Sequence, residues 1–238
     1  MHHVTLDGWS RLASPIHRLD PRAKAVAALG ILLSVALTHR AYGWLFATHF
    51  ALITALVLVA RLPVTGLLQR ALLVLPFAGT VAALNFFGGD PLRGVAVLCK
   101  SLLSAYTVLL LLATTPLHTL LRGLESLGVP RFFLMIAQFV YRYLFVLSEQ
   151  AQHMRQARHC RLGGRRSPLG FSSAAGAVAV LFARSHARAE RIYYAMLARG
   201  FQGHFLLLDP PVMRLADGLS LTVLAAVIGG VQLFLWNR

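Results

Sequence analysis

The feature that most limits the fold of this chain is a series of apolar runs separated by basic clusters. The runs occupy 25–37, 44–60, 71–89 and 94–115, and another at 217–236 closes the chain. Each is about 13–22 residues long, and crossing a hydrocarbon layer of about 30 Å takes about 20 helical residues. The first run is the shortest and reaches across only with help from its neighbours. Composition agrees with five spans. Apolar residues make up 57% of the 238 and charged residues only 13%, where a soluble domain carries about 25% charge. The formal charge of +15 and the pI of about 11.4 would suit a nucleic-acid binder. The mean hydropathy of +0.66 argues against it, and basic cytoplasmic segments between membrane spans satisfy both numbers.

The basic residues also orient the spans. Thirteen of the 23 Lys and Arg residues lie in 117–214, opposed only by Glu125, Glu149, Glu190 and Asp209. With that segment in the cytoplasm, five spans place the N-terminus there too, with Arg11, Arg18, Arg22 and Lys24. The connection from Arg61 to Arg70 falls inside as well, and only Arg40, Arg93 and Arg238 remain outside. The short loops thus obey the positive-inside rule. The predicted architecture is an all-α polytopic membrane protein. It has a cytoplasmic N-terminal segment (1–24), four transmembrane helices (25–116), a cytoplasmic block of three helices (117–214) and a fifth transmembrane helix (215–238). The expected location is the bacterial cytoplasmic (inner) membrane. No cleaved signal peptide is expected, because 1–20 is polar. Cys99 stands in an apolar run and Cys160 in a basic one, so no disulfide is expected between them.

Within 117–214 the punctuation predicts three helices. One covers 117–127 and stops at Gly128 and Pro130. A second covers 132–162, where no Gly or Pro interrupts about 45 Å of helix. Its first half is apolar apart from Gln138 and Arg142. It is assigned to the membrane surface, since a sixth span would invert the charge asymmetry. The third covers 170–199, with Gly200 at the C′ position and Pro210-Pro211 as a rigid entry to the last span. On this third helix Arg184, Arg188 and Arg191 fall within about 60° of one another, opposite Tyr193, Met196 and Leu197. The expectation is an apolar back and an arginine front. A charge row facing solvent or lipid headgroups is the other reading.

Catalytic signatures are absent: there is no His-Glu-x-x-His, no Gly-x-Ser-x-Gly and no phosphate-binding loop. No catalytic residue, metal ligand set or cofactor is expected. The spans hold no acid except Asp217 at the edge of the last, which disfavours a secondary transporter. Lys100 is the one cation well inside a span and is expected to snorkel. His39 and His49, scattered and without acidic or sulfur companions, are expected to be structural. His2 and His3 read as a tail.

Two short arginine motifs stand out at helix ends. One is Ala157-Arg158-His159, with Arg161 close behind; the other is Ala198-Arg199-Gly200, 41 residues further on. A small residue before the arginine lets a partner's surface come close, and the guanidinium offers a planar fork to carboxylates or carbonyls. Two such tips suit a partner with two equivalent grooves. HRLDPRAK at 17–24, FVYRYLFVLSEQAQHMRQAR at 139–158 and RAERIYYAMLARGFQG at 188–203 resemble the T component of energy-coupling-factor (ECF) transporters, in its cobalt-uptake CbiQ branch. The resemblance implies a membrane scaffold without ATPase activity of its own. Its two Ala-Arg-Gly motifs end crossed coupling helices, which dock into grooves on two ATP-binding-cassette subunits (CbiO-like). A separate CbiM-like membrane subunit, with a small CbiN-like one, captures the metal ion. Ala198, Arg199 and Gly200 match the second motif in type; Ala157 and Arg158 match the first, and His159 stands where Gly would. Arg158 and Arg161 thus both qualify for the first contact. Membrane lipid is an expected partner and nucleic acid is not. Nickel or a vitamin are the alternative substrates. A membrane-embedded enzyme and a basic membrane-surface anchor are the alternatives from other classes.

Overall fold

Aspartate and proline open the first helix. Asp20 is the N-cap of α1 (Pro21–Leu37), its side chain accepting from the backbone N–H of Arg22 at 2.8 Å, and Pro21 sits at the first helical position. This is a computed structural model that describes residue 14 and residues 16–17, 19–38, 43–161 and 171–203. It also describes positions 217, 218, 222, 226, 229 and 230 of the last segment. Every regular element among them is an α-helix. His2, His3, His39, Arg40 and most of the fifth predicted span lie outside the described residues.

The next helix, α2 (Gly43–Val59), ends in a Schellman motif. The N–H of Leu62 bonds the carbonyl of Val57 at 3.2 Å, and the N–H of Arg61 bonds that of Leu58 at 2.9 Å. Arg61 takes the left-handed position with φ 56°, where glycine is usual. The third apolar run then departs from expectation. Instead of one helix over 71–89, α4 (Leu75–Phe87) takes most of the run, while α3 (Val64–Leu72) forms largely in the expected Arg61–Arg70 connection, and the two are bent by 51° at the break. Pro76 is the cause: it has no N–H for the carbonyl of Leu72, and its ring disfavours the helical conformation of the residue before it.

The fourth run forms α5 (Pro91–Thr114), the hub of the first compact unit, packed by α1, α2, α3 and α4. Tyr106 is fully buried and stacks on Phe50 at 5.9 Å between ring centroids. Ile31, Ile53, Val57, Leu67, Leu103 and Ala113 surround it in the core. The α4–α5 seam is built from small residues. Ala78, Ala82, Gly94 and Ala96 are buried there, and a Cβ on Gly94 would stand 2.8 Å from the carbonyl oxygen of Ala82. The short amphipathic α6 (Leu117–Ser126) follows and ends at Gly128, φ 96°. It packs on α1, with Gly123 against the backbone of Pro21 and Arg22.

The chain divides into two compact units, Met1–Gly128 with Pro210–Arg238, and Val129–Asp209. By contacts α6 belongs to the first unit, whereas the sequence groups it with the basic block. The second unit holds α7 (Arg131–Arg161) and α8 (Phe171–Ala198), within a residue of their expected limits. Apolar side chains remain outside in quantity: Phe77 is 77% exposed, Leu84 73% and Phe87 87%. A water-soluble unit rarely tolerates such a surface, and lipid covers it at no cost. By length and composition α5 and the 131–160 stretch of α7 can each cross a membrane, as can the bent α3–α4 pair taken as one. The protein is an all-α polytopic membrane protein.

Candidate functional site

Helix ends decide how the arginine tips are presented. At the end of α8 the N–H of Gly200 bonds the carbonyl of Leu197 at 3.0 Å, and that of Phe201 bonds Met196 at 3.1 Å. This is a full Schellman closure with Gly200 at φ 78°. Arg199 is therefore the C-cap residue, exposed, beside the last helical residue, Ala198. The remaining carbonyls of the last turn carry the negative end of the helix dipole, which favours a cation there. Ala157 and Arg158 lie in the last turn and a half of α7. Ala157 is exposed and Arg158 half-buried, continuing a half-buried stripe through Tyr143, Leu147, Gln150 and Met154. His159 is exposed. Arg161 ends the helix, and its side chain lies outside the described residues. Among the described residues the guanidinium groups of Arg158 and Arg199 have no hydrogen-bond or ion-pair partner.

The two helices line a shared cleft, and neither arginine is among its lining residues. The cleft, of about 520 Å³, is lined by Phe139, Tyr143 and Leu147 of α7 and by Ser185, Ile192 and Met196 of α8, among others. Arg158 stands eleven residues past Leu147 in sequence, and Arg199 three past Met196.

The expected division of α8 into an arginine front and an apolar back needs correction. Leu181, Ser185, Arg188, Ile192 and Met196 form the half-buried stripe, at helical spacing of three and four. Arg188 thus shares the packed face with Met196, while Tyr193 and Leu197 are exposed. Arg184 and Arg191 are exposed as well. The reason is that an arginine's methylene stem packs like an apolar side chain, so charge alone does not assign a face.

A second polar constellation, which no sequence-based expectation included, lies in the first unit. Lys24 is buried, and its Nζ donates to the carbonyls of His17 at 3.2 Å and Thr114 at 3.1 Å. The N–H of Asp20 donates to Oδ1 of Asp217 at 2.9 Å across 197 residues. Asp20 and Asp217 are both buried. Burial pushes the Lys24 ammonium down to about 8, against the upward pull of Asp20 and then Asp217. The available signal was the Asp-Pro pair at 20–21, which marks a helix start with a carboxylate free to take further partners. Lys100 and His49 have plain structural roles. Lys100 Nζ donates to the carbonyl of Ala36 at 2.8 Å, closing the last turn of α1. His49 donates from Nδ1 to the carbonyl of Leu45 at 2.8 Å and meets the Ser34 hydroxyl through Nε2 at 2.8 Å, leaving no ring nitrogen free for a metal. Among the described residues no three His, Cys, Asp or Glu side chains gather into a metal site.

The model of the CbiQ family, described as cobalt transport protein, matches residues 13–207. This chain belongs to the CbiQ family. The cobalt transport protein CbiQ of Rhodobacter capsulatus is 31% identical over 217 residues, 86% of this chain and 88% of that one. The energy-coupling factor transporter transmembrane protein EcfT of Acidaminococcus fermentans is 27% identical over 228 residues, 84% of each. A fused protein of Methanocorpusculum labreanum, designated a putative cobalt transport protein CbiMQ, is 24% identical over 216 residues, 81% of this chain and 36% of that one. The family match covers α1 to α8 and both arginine tips, and it makes the chain a T component of an ECF transporter.

Proposed function

We propose that this chain is the transmembrane coupling subunit of an ATP-driven ECF-type importer of cobalt ions, seated in the cytoplasmic membrane with its N-terminus inside. The single observation that carries the coupling role is the pair of unpartnered arginines at the ends of two long helices. A helix of 28 or 31 residues is a stiff rod of roughly 40–45 Å, so a push at its tip moves the whole element. Grooves on two ATPase subunits would take Arg199 and Arg158 through charge-assisted hydrogen bonds to carboxylates or carbonyls. ATP binding and hydrolysis there would displace α7 and α8, and these would pass the motion to a metal-capturing membrane subunit. Cobalt follows the printed names of the relatives, and the segment 117–214 is the cytoplasmic block in this reading.

Each charge-assisted bond contributes roughly 1.5–3 kcal/mol, so losing one weakens docking about 10- to 150-fold. Co-purification of the ATPase subunits and uptake of labelled cobalt test the reading. Arg199→Ala lowers both, and more than Arg158→Ala does, because Arg158 is half-buried and its neighbour is His159 rather than glycine. Arg158→Ala with Arg199→Ala abolishes uptake while the protein still reaches the membrane. Full uptake by the double variant would show that the tips are solvated charge.

A further inference from the structure

We propose that the cleft between α7 and α8 holds one anionic phospholipid, its headgroup phosphate on Arg188 and an acyl chain along the apolar walls. The cleft's 520 Å³ falls within the about 300–1,000 Å³ usual for ligand sites. Its walls come from Val140, Tyr143, Leu144 and Leu147 on one side and Ile192 and Met196 on the other, and no acid among the described residues lines it. Arg188 is half-buried in this lining and has no hydrogen-bond or ion-pair partner among the described residues. Glu190, the nearest acid in sequence, is exposed and lies 3.9 Å from His186, which also lines the cleft. A guanidinium partly withdrawn from water among apolar groups calls for an anion. One arginine beside a largely apolar trough fits an amphiphile with one charged end.

The supply side points to the bilayer. Val140 (62% exposed) and Leu144 (58%) line the cleft and also belong to the outer apolar surface of α7. The cleft therefore opens beside a surface that lipid wets, and anionic headgroups gather near basic proteins. An acidic partner helix would be matched by several cations, yet Arg184 and Arg191 do not line the cleft. The proposal does not depend on ATPase docking.

Native mass spectrometry of the full chain, released from nanodiscs of equal phosphatidylglycerol and phosphatidylcholine, tests it. One phosphatidylglycerol is expected to stay bound in preference to phosphatidylcholine. Arg188→Gln lowers that retention roughly tenfold, and Arg188→Lys keeps most of it. Ile192→Trp, which fills the trough, removes both lipids. Arg155→Gln, on an exposed position of α7, leaves retention unchanged, and so does Arg199→Ala. Equal retention by wild type and Arg188→Gln, or no preference between headgroups, overturns the proposal. So does a crosslink from the cleft into an acidic helix of a co-purified subunit with no lipid retained.

Discussion

Lys24 shows at the residue scale how burial and charge compete. Its two hydrogen bonds go to carbonyls, and the two carboxylates nearby only partly offset its loss of hydration. Its folded pKa of about 8 lies below the 10.5 of the free side chain. Below pH 8 the folded and unfolded chains both hold the proton, and the burial penalty acts in full. Between about 8 and 10.5 the unfolded chain binds more proton, so stability rises with pH in that window. The thermal midpoint in detergent is expected to climb from pH 8 to pH 10 in the wild type and to climb less in Lys24→Met. Equal slopes would remove Lys24 as the source. The side chain could be seen in HRLDPRAK, but its burial could not, because Thr114 and Asp217 reach it from far along the chain.

Two helix ends of the same geometry use different residues at the element scale. Gly200 closes α8 at φ 78°, whereas Arg61 closes α2 at φ 56°. A side chain in the left-handed region costs roughly 1–2 kcal/mol. Gly200→Val should therefore fray the end of α8 and misdirect Arg199. ATPase co-purification is expected to fall although the arginine itself is intact, and unchanged docking would mean that the closure does not aim it. Arg61→Gly should act in the opposite sense, raising stability by about 1 kcal/mol in a chemical-denaturation or thermal series. The ends of α6, α7 and α8 were legible because Gly128, Gly163-Gly164 and Gly200 announce them. The break between α3 and α4 was not, because the apolar run continues straight through Pro76 and hides the bend.

At the scale of the whole molecule the charge asymmetry makes a claim about sidedness. Arg18 and Arg161 are expected on the cytoplasmic side and Arg93 on the other, where it pairs with Asp90 at 3.3 Å. Single cysteines placed at 18, 93 and 161 in a Cys99→Ala, Cys160→Ala background, labelled with an impermeant maleimide on intact cells, should react only at 93. Labelling at 161 from outside would mean that α7 crosses the bilayer, which its length and composition allow. Length and hydropathy alone do not separate a span from a surface helix; the flanking charges do.

Helical content, the extents of α5 to α8 and the positions of both arginine tips follow from local signals: apolar runs, glycines, prolines and basic clusters act over a few residues. Face assignment on α8 did not follow, because Arg188 and Arg191 have the same charge and only the neighbour helix decides which one packs. The knot of Asp20, Lys24, Thr114 and Asp217 is likewise a product of tertiary structure, joining residues up to 197 positions apart. Periodicity sees one helix at a time, and a contact between helices exists only once both are packed.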